Sequence, residues 1–163
     1  MISAPALINP SHNFSQFSCG EPSLDTWLHD RALKNEDSGA SRSYVVCSEN
    51  EIIAYYSLAF GSIEHRYTPS NIKRNMPDPI PVMILARLAV DLRYAGQNIG
   101  TAMLGDALLR TVQASKIAGI RALLVHALNE KAALFYKNRG FITSPFDSKI
   151  LFLQIRYIVK RVE

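Results

Sequence analysis

The period of the hydrophobic pattern changes sharply between Val82 and Ser115. "VMILARLAVD" is apolar almost without interruption. A polar bend, "LRYAGQN", follows, and from there the apolar residues recur at helical spacing. A nearly continuous apolar run fits a central strand, and the later spacing fits an amphipathic helix over 98–118. A helix that starts directly after a buried strand points its free backbone N–H groups at the strand's carboxyl end. Those donors and the helix dipole bind an anion without any charged side chain. Gly96 and Gly100 would let a phosphate approach the backbone, Thr101 adds a hydroxyl, and Arg93 adds charge. The glycines fit neither G-x-G-x-x-G nor a P-loop, so neither nucleotide fold is indicated. Taken alone, the bend is compatible with a phosphate cradle or with a glycine-eased turn.

The chain of 163 residues suits one domain of ordinary size, 1–163. No apolar run approaches the roughly 20 residues of a membrane span. "MISAPALINPSHNF" has neither a basic start nor a sustained apolar stretch, so no signal peptide is expected and the location is read as cytoplasmic. Cys19 and Cys47 stand in no metal-ligand or CxxC spacing and are read as free thiols, with no metal site. The net charge of +4 favours anionic partners such as CoA or nucleic acid, and is also ordinary for a small protein.

Upstream, "CGEPSLDTWLHDRALKNEDSG" reads as one helix with Ser23 as its cap and Gly39 past its end. "SYVVCS" and "IIAYYSLAF" read as a hairpin around "ENE". Pro77, Pro79 and Pro81 argue for an ordered loop up to the central strand, with a short helix near Asn71 to Asn75. Downstream, "RALLVHA" reads as a buried strand and "EKAALFYKNR" as a helix capped by Asn129 and ended by Gly140. "KILFLQIRYIV" reads as a final strand. The order predicts a mixed α/β domain, one sheet with helices on both faces.

The segment "HALNEKAALFYKNRGF" gives the bend a companion. With Asn129, Ala132, Phe135, Tyr136, Gly140 and Phe141 it resembles the later helix motif of the GNAT acetyltransferases, N-x-x-A-x-x-F-Y-x-x-x-G-F. Their pyrophosphate motif, Q/R-x-x-G-x-G/A, is met less closely. Aligned on Gly100, Ala95 takes the Q/R slot and Asn98 the first glycine slot, with Gln97 and Gly96 displaced beside them. Asn is the non-glycine residue that best tolerates left-handed geometry, so the cradle can survive.

A narrower resemblance covers nearly the whole chain. "FSCGEPSLDTWLHDRALKNEDSGASRSYVVC", "NIKRNMPDPIPVMILARLAVD" and "VHALNEKAALFYKNRGF" are similar to the acetyltransferase toxins of type II toxin–antitoxin systems, the TacT-like group. The resemblance implies a mostly antiparallel GNAT sheet and acetylation of the α-amine of aminoacyl-tRNA by acetyl-CoA, which blocks translation. It also implies a ribbon-helix-helix antitoxin and a homodimer. Leu88, Ala89 and Val90 would pair with the pantetheine arm. Arg93, Ala95, Gly96, Gln97, Asn98, Gly100, Thr101, Asn129 and Phe135 would serve the cofactor site. Tyr136 would protonate the leaving thiolate, although a tyrosine at a core edge is also common. His126 is open to two readings, base or structural. Arg31, Lys34, Arg42, Lys73, Arg74 and Arg87 are the candidate tRNA contacts, each also readable as an ordinary solvated charge. An acetyltransferase for a protein N-terminus or small amine is the alternative, and a non-enzymatic CoA- or nucleic-acid-binding module the remote one.

Overall fold

The structure, a computed structural model, describes residues 1–162. Its elements are β1 (Ala6–Leu7), α1 (Pro22–Asp30), α2 (Ala32–Ser38), β2 (Arg42–Ser48), β3 (Glu51–Ile63), α3 (Ser70–Lys73), β4 (Ile80–Val90), α4 (Ile99–Ser115), β5 (Ala122–His126), α5 (Glu130–Lys137), β6 (Ile142–Thr143), β7 (Ile150–Gln154) and α6 (Ile155–Val162). Seven strands form one sheet in the order β1-β2-β3-β4-β5-β7-β6. The β4–β5 pair is parallel, whereas β1–β2, β2–β3, β5–β7 and β6–β7 are antiparallel. The expected mixed α/β fold is therefore present.

By internal contacts the chain divides into two compact units, Met1–Ala59 with Ala86–Ala107, and Phe60–Leu85 with the chain from Leu108 onward. In the first unit α1 and α2 pack Leu28 and Ala32 against Val45, Ile52, Tyr55 and Ala89. The Tyr56 hydroxyl donates to the Asp106 carboxylate and so ties α4 to β3. In the second unit Ile72 of α3 packs with Ile80, Val82, Ala122, Leu124 and Phe152. Arg121 holds α3 from beside β5, its guanidinium donating to the Ile72 and Asn71 carbonyls at 2.8 and 3.2 Å.

Several boundaries differ from the sequence pattern, each for a local reason. The first helix begins at Pro22, whose fixed φ and missing N–H suit a first turn, so Glu21 and not Ser23 takes the cap position. It also breaks into α1 and α2 at Arg31, where φ is −122°. Gly39 ends α2 in the left-handed conformation at φ 81°. The hairpin turn is the pair Glu49-Asn50, both at positive φ (51° and 68°), leaving Glu51 as the first residue of β3. Pro81 lies inside β4 rather than before it. It is the strand's second residue, where the missing donor costs least, and its carbonyl accepts from the Arg121 N–H at 2.9 Å. The helix expected over 98–118 ends at Ser115. The expected final strand stops at Gln154 and continues as α6, because Ile155, Ile158, Val159 and Val162 keep the 3.6 period. β1 and β6 are too short to leave a period in the sequence.

The end of β4 is fixed by a clasp. Asp91 is 1 % exposed. Its carboxylate accepts from the Ser18 N–H (3.2 Å), the Arg93 N–H (2.9 Å) and the Arg93 guanidinium (2.9 and 3.1 Å). The guanidinium also pairs with Glu51 of β3 at 2.6 Å. Burial works against the ionised carboxyl, but the hydrogen bonds from Arg93 and Ser18 outweigh it and hold its pKa below the usual range.

Two expectations follow from these contacts. Asp91→Asn should cost about 2 kcal/mol, because a charge-assisted set of bonds is lost in a buried place. Asp91 has a depressed folded-state pKa, so its contribution is present above the unfolded value of about 4 and is lost as pH falls through the folded one. Urea midpoints of the native protein should therefore drop on acidification below pH ~4, and those of the variant less steeply. Asn129→Ala should cost about 1 kcal/mol in the same assay, since the Asn129 side chain accepts from the Ala132 N–H at 2.9 Å and caps α5.

Candidate active site

In the first unit the site begins on the second half of β4. Ala89 is buried in the core, while Leu88 and Val90 are half-buried. After Asp91 a 3₁₀ turn, Leu92–Tyr94, leads to Ala95, Gly96, Gln97 and Asn98, all four exposed. Gly96 is at φ 79° and Asn98 at φ 62°. Both are left-handed, a conformation that costs most residues roughly 1–2 kcal/mol and that Gly and Asn tolerate best. Asn98 thus performs the backbone turn that the motif ordinarily gives to glycine. A Cβ on Gly96 would meet nothing within 4 Å, so glycine is needed there for its φ and not for room. The first helical bond of α4 runs from the Ala102 N–H to the Asn98 carbonyl at 3.1 Å. The initial turn, with Gly100 and Thr101, therefore opens on the bend and presents its amides as a helix N-terminus does.

Arg93 is placed differently from the sequence expectation. Its guanidinium is engaged with Asp91 and Glu51, so its charge is already met by two carboxylates. Those partners push its own pKa further up.

In the second unit α5 carries Tyr136, 6 % exposed. Its ring meets Phe135 and Phe141 edge-on, at centroid distances of 5.1 and 5.3 Å. Burial pushes the phenol well above its ordinary value, so the hydroxyl stays protonated at neutral pH. Among the described residues no group hydrogen-bonds that hydroxyl. The helix ends in a Schellman-type pair of bonds, Phe141 N–H to the Tyr136 carbonyl (3.2 Å) and Gly140 N–H to the Lys137 carbonyl (3.0 Å), with Gly140 at φ 92°. That turn sets Phe141 against Tyr136. Phe135 is half-buried beneath the Arg139 guanidinium, 3.7 Å from the ring centre. Asn129 is the helix cap described above. His126 closes β5 and is exposed, and its imidazole makes no hydrogen bond among the described residues.

The basic candidates sort by what they already touch. Arg42 pairs with Glu36 at 2.7 Å, and Arg31 donates to the Asn35 side chain at 3.0 Å. Lys34 and Arg74 are exposed and Lys73 half-buried, none of them paired with a carboxylate among the described residues. Arg87 is half-buried on β4 with its guanidinium 4.1 Å above the Trp27 ring, and Trp27 stacks on Tyr55 at 6.0 Å. Burial lowers the Arg87 pKa, and Tyr55 opposes that shift. Among the cations outside the sequence selection are Arg156, Lys160 and Arg161 of α6. The signal for them was the helical spacing from Ile155, hidden by its continuity with β7.

Among the described residues no cluster of three or more His, Cys, Asp or Glu is placed to hold a metal. The Cys19 thiol is pushed up to about 12 by burial and by Asp25, so it is no ready thiolate.

Comparison with known proteins matches residues 39–143 to the acetyltransferase (GNAT) domain family. The chain is 45% identical over 154 residues to a tRNA-acetylating toxin of Mycobacterium tuberculosis (strain ATCC 25618 / H37Rv), covering 94% of this chain and 93% of that one. It is similar to KacT, solved as a Tyr-to-Phe variant, with TM-score 0.91, 29% identity and 98% of each chain covered. It is equally similar to AtaT complexed with acetyl-methionyl-tRNAfMet, with TM-score 0.91, 27% identity and 100% of each chain covered. AtaT has also been solved with acetyl-CoA and the C-terminus of the antitoxin AtaR, in a structure matching at TM-score 0.85 and 26% identity over 99% of this chain and 98% of that one. The bend after β4, the tyrosine of α5 and these matches together make the chain a member of the GNAT acetyltransferase family.

Proposed function

We propose that the protein is a toxin that transfers the acetyl group of acetyl-CoA to the α-amine of the amino acid on aminoacyl-tRNA. The observation that carries this reading is Tyr136: buried, kept protonated, and with a hydroxyl that no described residue claims. The likeness to a tRNA-acetylating toxin and to AtaT with acetylated tRNA supplies the acceptor.

The reaction needs little beyond placement. The amine nitrogen attacks the thioester carbonyl, a C–N bond forms, and the C–S bond breaks. The departing sulfur takes the Tyr136 proton, and the surplus proton on nitrogen leaves to water, since an α-amine beside an ester is partly neutral. Holding the two reactants together can supply roughly 7–11 kcal/mol of barrier lowering. The backbone of Leu88, Ala89 and Val90 pairs with the pantetheine arm and polarises the carbonyl. The turn from Ala95 through Gln97 and Asn98 to Gly100 and Thr101 takes the pyrophosphate on backbone donors. Arg93 serves that turn as a brace through Asp91, its charge being engaged. Asn129 and Phe135 serve by setting the start and the aromatic flank of the helix that carries Tyr136.

Lys34, Lys73, Arg74 and Arg87 are the cations of the sequence selection best placed for tRNA phosphate, because none is paired with a carboxylate among the described residues. Arg87, stacked on Trp27, is preorganised as well. Arg31 and Arg42 stand behind them, being partly engaged. Acetylation removes the nucleophile that peptide transfer needs, so translation stops. A cognate ribbon-helix-helix antitoxin would neutralise the enzyme, which would act as a homodimer in the cytoplasm. AtaT bound to the antitoxin AtaR supports the first of these.

Incubation with labelled acetyl-CoA should label aminoacyl-tRNA. Label only on protein N-termini or polyamines would instead favour the small-amine alternative. Tyr136→Phe should lower kcat by about 10²–10⁴ while acetyl-CoA binding, measured by calorimetry, persists. Asn98→Gly should retain or tighten acetyl-CoA binding. Asn98→Val, which forces a branched side chain into left-handed geometry, should raise the KM for acetyl-CoA about tenfold, equivalent to the roughly 1–2 kcal/mol of strain.

A further inference from the structure

The helix α6 carries a face that its own stability does not explain. Ile158 is buried and Ile155, Val159 and Val162 are half-buried, so one side is anchored. The other side exposes Arg156, Tyr157, Lys160 and Arg161. None of its three cations is paired with a carboxylate among the described residues. Arg156 stands in the first turn, where the helix dipole disfavours a positive charge, and no acidic residue accompanies it there. Arg156 and Lys160 are four residues apart, a like-charge pair that weakens a helix. Both flank one ring: the Arg156 guanidinium lies 5.0 Å and the Lys160 ammonium 5.9 Å from the Tyr157 centroid. Arg161 reaches back and donates to the Arg139 carbonyl, at the turn that ends α5. The face is thereby fastened to the helix bearing Tyr136.

Cations that no described carboxylate pairs, held around an exposed aromatic ring, suit a polyanion with flat groups, and local rules broken without a structural gain mark functional places. We infer that the Arg156–Tyr157–Lys160 face of α6 docks the phosphate backbone of the RNA acceptor, an assignment that rests on the tRNA reading above. Arg156 and Lys160 each neutralise one phosphate, and the tyrosine between them keeps the two side chains extended over its ring. The contact is blind to sequence, so it sets affinity and register and not the choice of amino acid.

The test is filter binding of uncharged tRNA to the full chain across a salt series. The Arg156→Gln/Lys160→Gln variant should make the slope of log K against log salt shallower by about 1.5, two contacts at 0.7–0.9 each, and Lys160→Gln alone by about half that. Arg156→Lys/Lys160→Arg, which keeps both charges, should keep the slope, as should Lys116→Gln, an exposed lysine elsewhere. An unchanged slope in the double Gln variant, with far-UV circular dichroism showing it folded, would overturn the assignment. So would a change seen with duplex DNA but not with tRNA. Uncharged tRNA cannot be acetylated on an amino acid, so this readout is separate from activity. An α6-dependent slope in a protein that acetylates no aminoacyl-tRNA would uphold the contact and sink the acetylation reading.

Discussion

A carboxylate buried where a strand ends cannot stay charged unless the chain supplies donors, and Asp91 is supplied from three directions. Ser18 gives a backbone N–H, and Arg93 gives its own backbone N–H and its guanidinium. The Asp91 and Leu92 amides in turn donate to the Ile53 and Ser18 carbonyls at 2.8 and 2.9 Å. This knot fixes where β4 stops and how the chain leaves it. The left-handed residues that follow, Gly96 and Asn98, then have only one course into α4. The course of the bend therefore depends on an acidic residue whose negative charge is consumed internally.

The second unit shows a different effect of burial, a phenol held in its protonated form. Two aromatic rings and deep burial do this for Tyr136 by denying solvent to the phenolate. The Gly140 turn holds one of those rings in place through backbone bonds alone. Both thiols, Cys19 and Cys47, are pushed up by burial. On the mechanism proposed above, the chain would contribute placement, backbone donors and the Tyr136 proton to an acyl transfer whose nucleophile is already competent.

The β4–bend–α4 and β5–α5 segments were legible because each changes period at a residue that backbone sterics restrict. Asn98 is the clearest instance, since its left-handed conformation could be argued from side-chain chemistry and is present at φ 62°. The caps at Asn129 and Gly140 were readable for the same local reason. What failed to show was tertiary or continuous with something stronger. The Arg93 ion pair did not show because Glu51, its partner at the start of β3, is distant in sequence. The α6 helix was masked because β7 and α6 join without a turn residue, so an apolar run changed period with no punctuation. Ser23 was outranked by Pro22, one position earlier.

The shortness of β1 and β6, two residues apiece, bears on how this molecule meets other chains. They are the terminal strands of the sheet, and edge strands recruit foreign backbone in proportion to the unpaired amides and carbonyls they display. With so little main chain on offer, an incoming peptide gains few ladder bonds by extending the sheet. Recognition by such a protein is therefore written in side chains, where each change in charge or shape alters who binds.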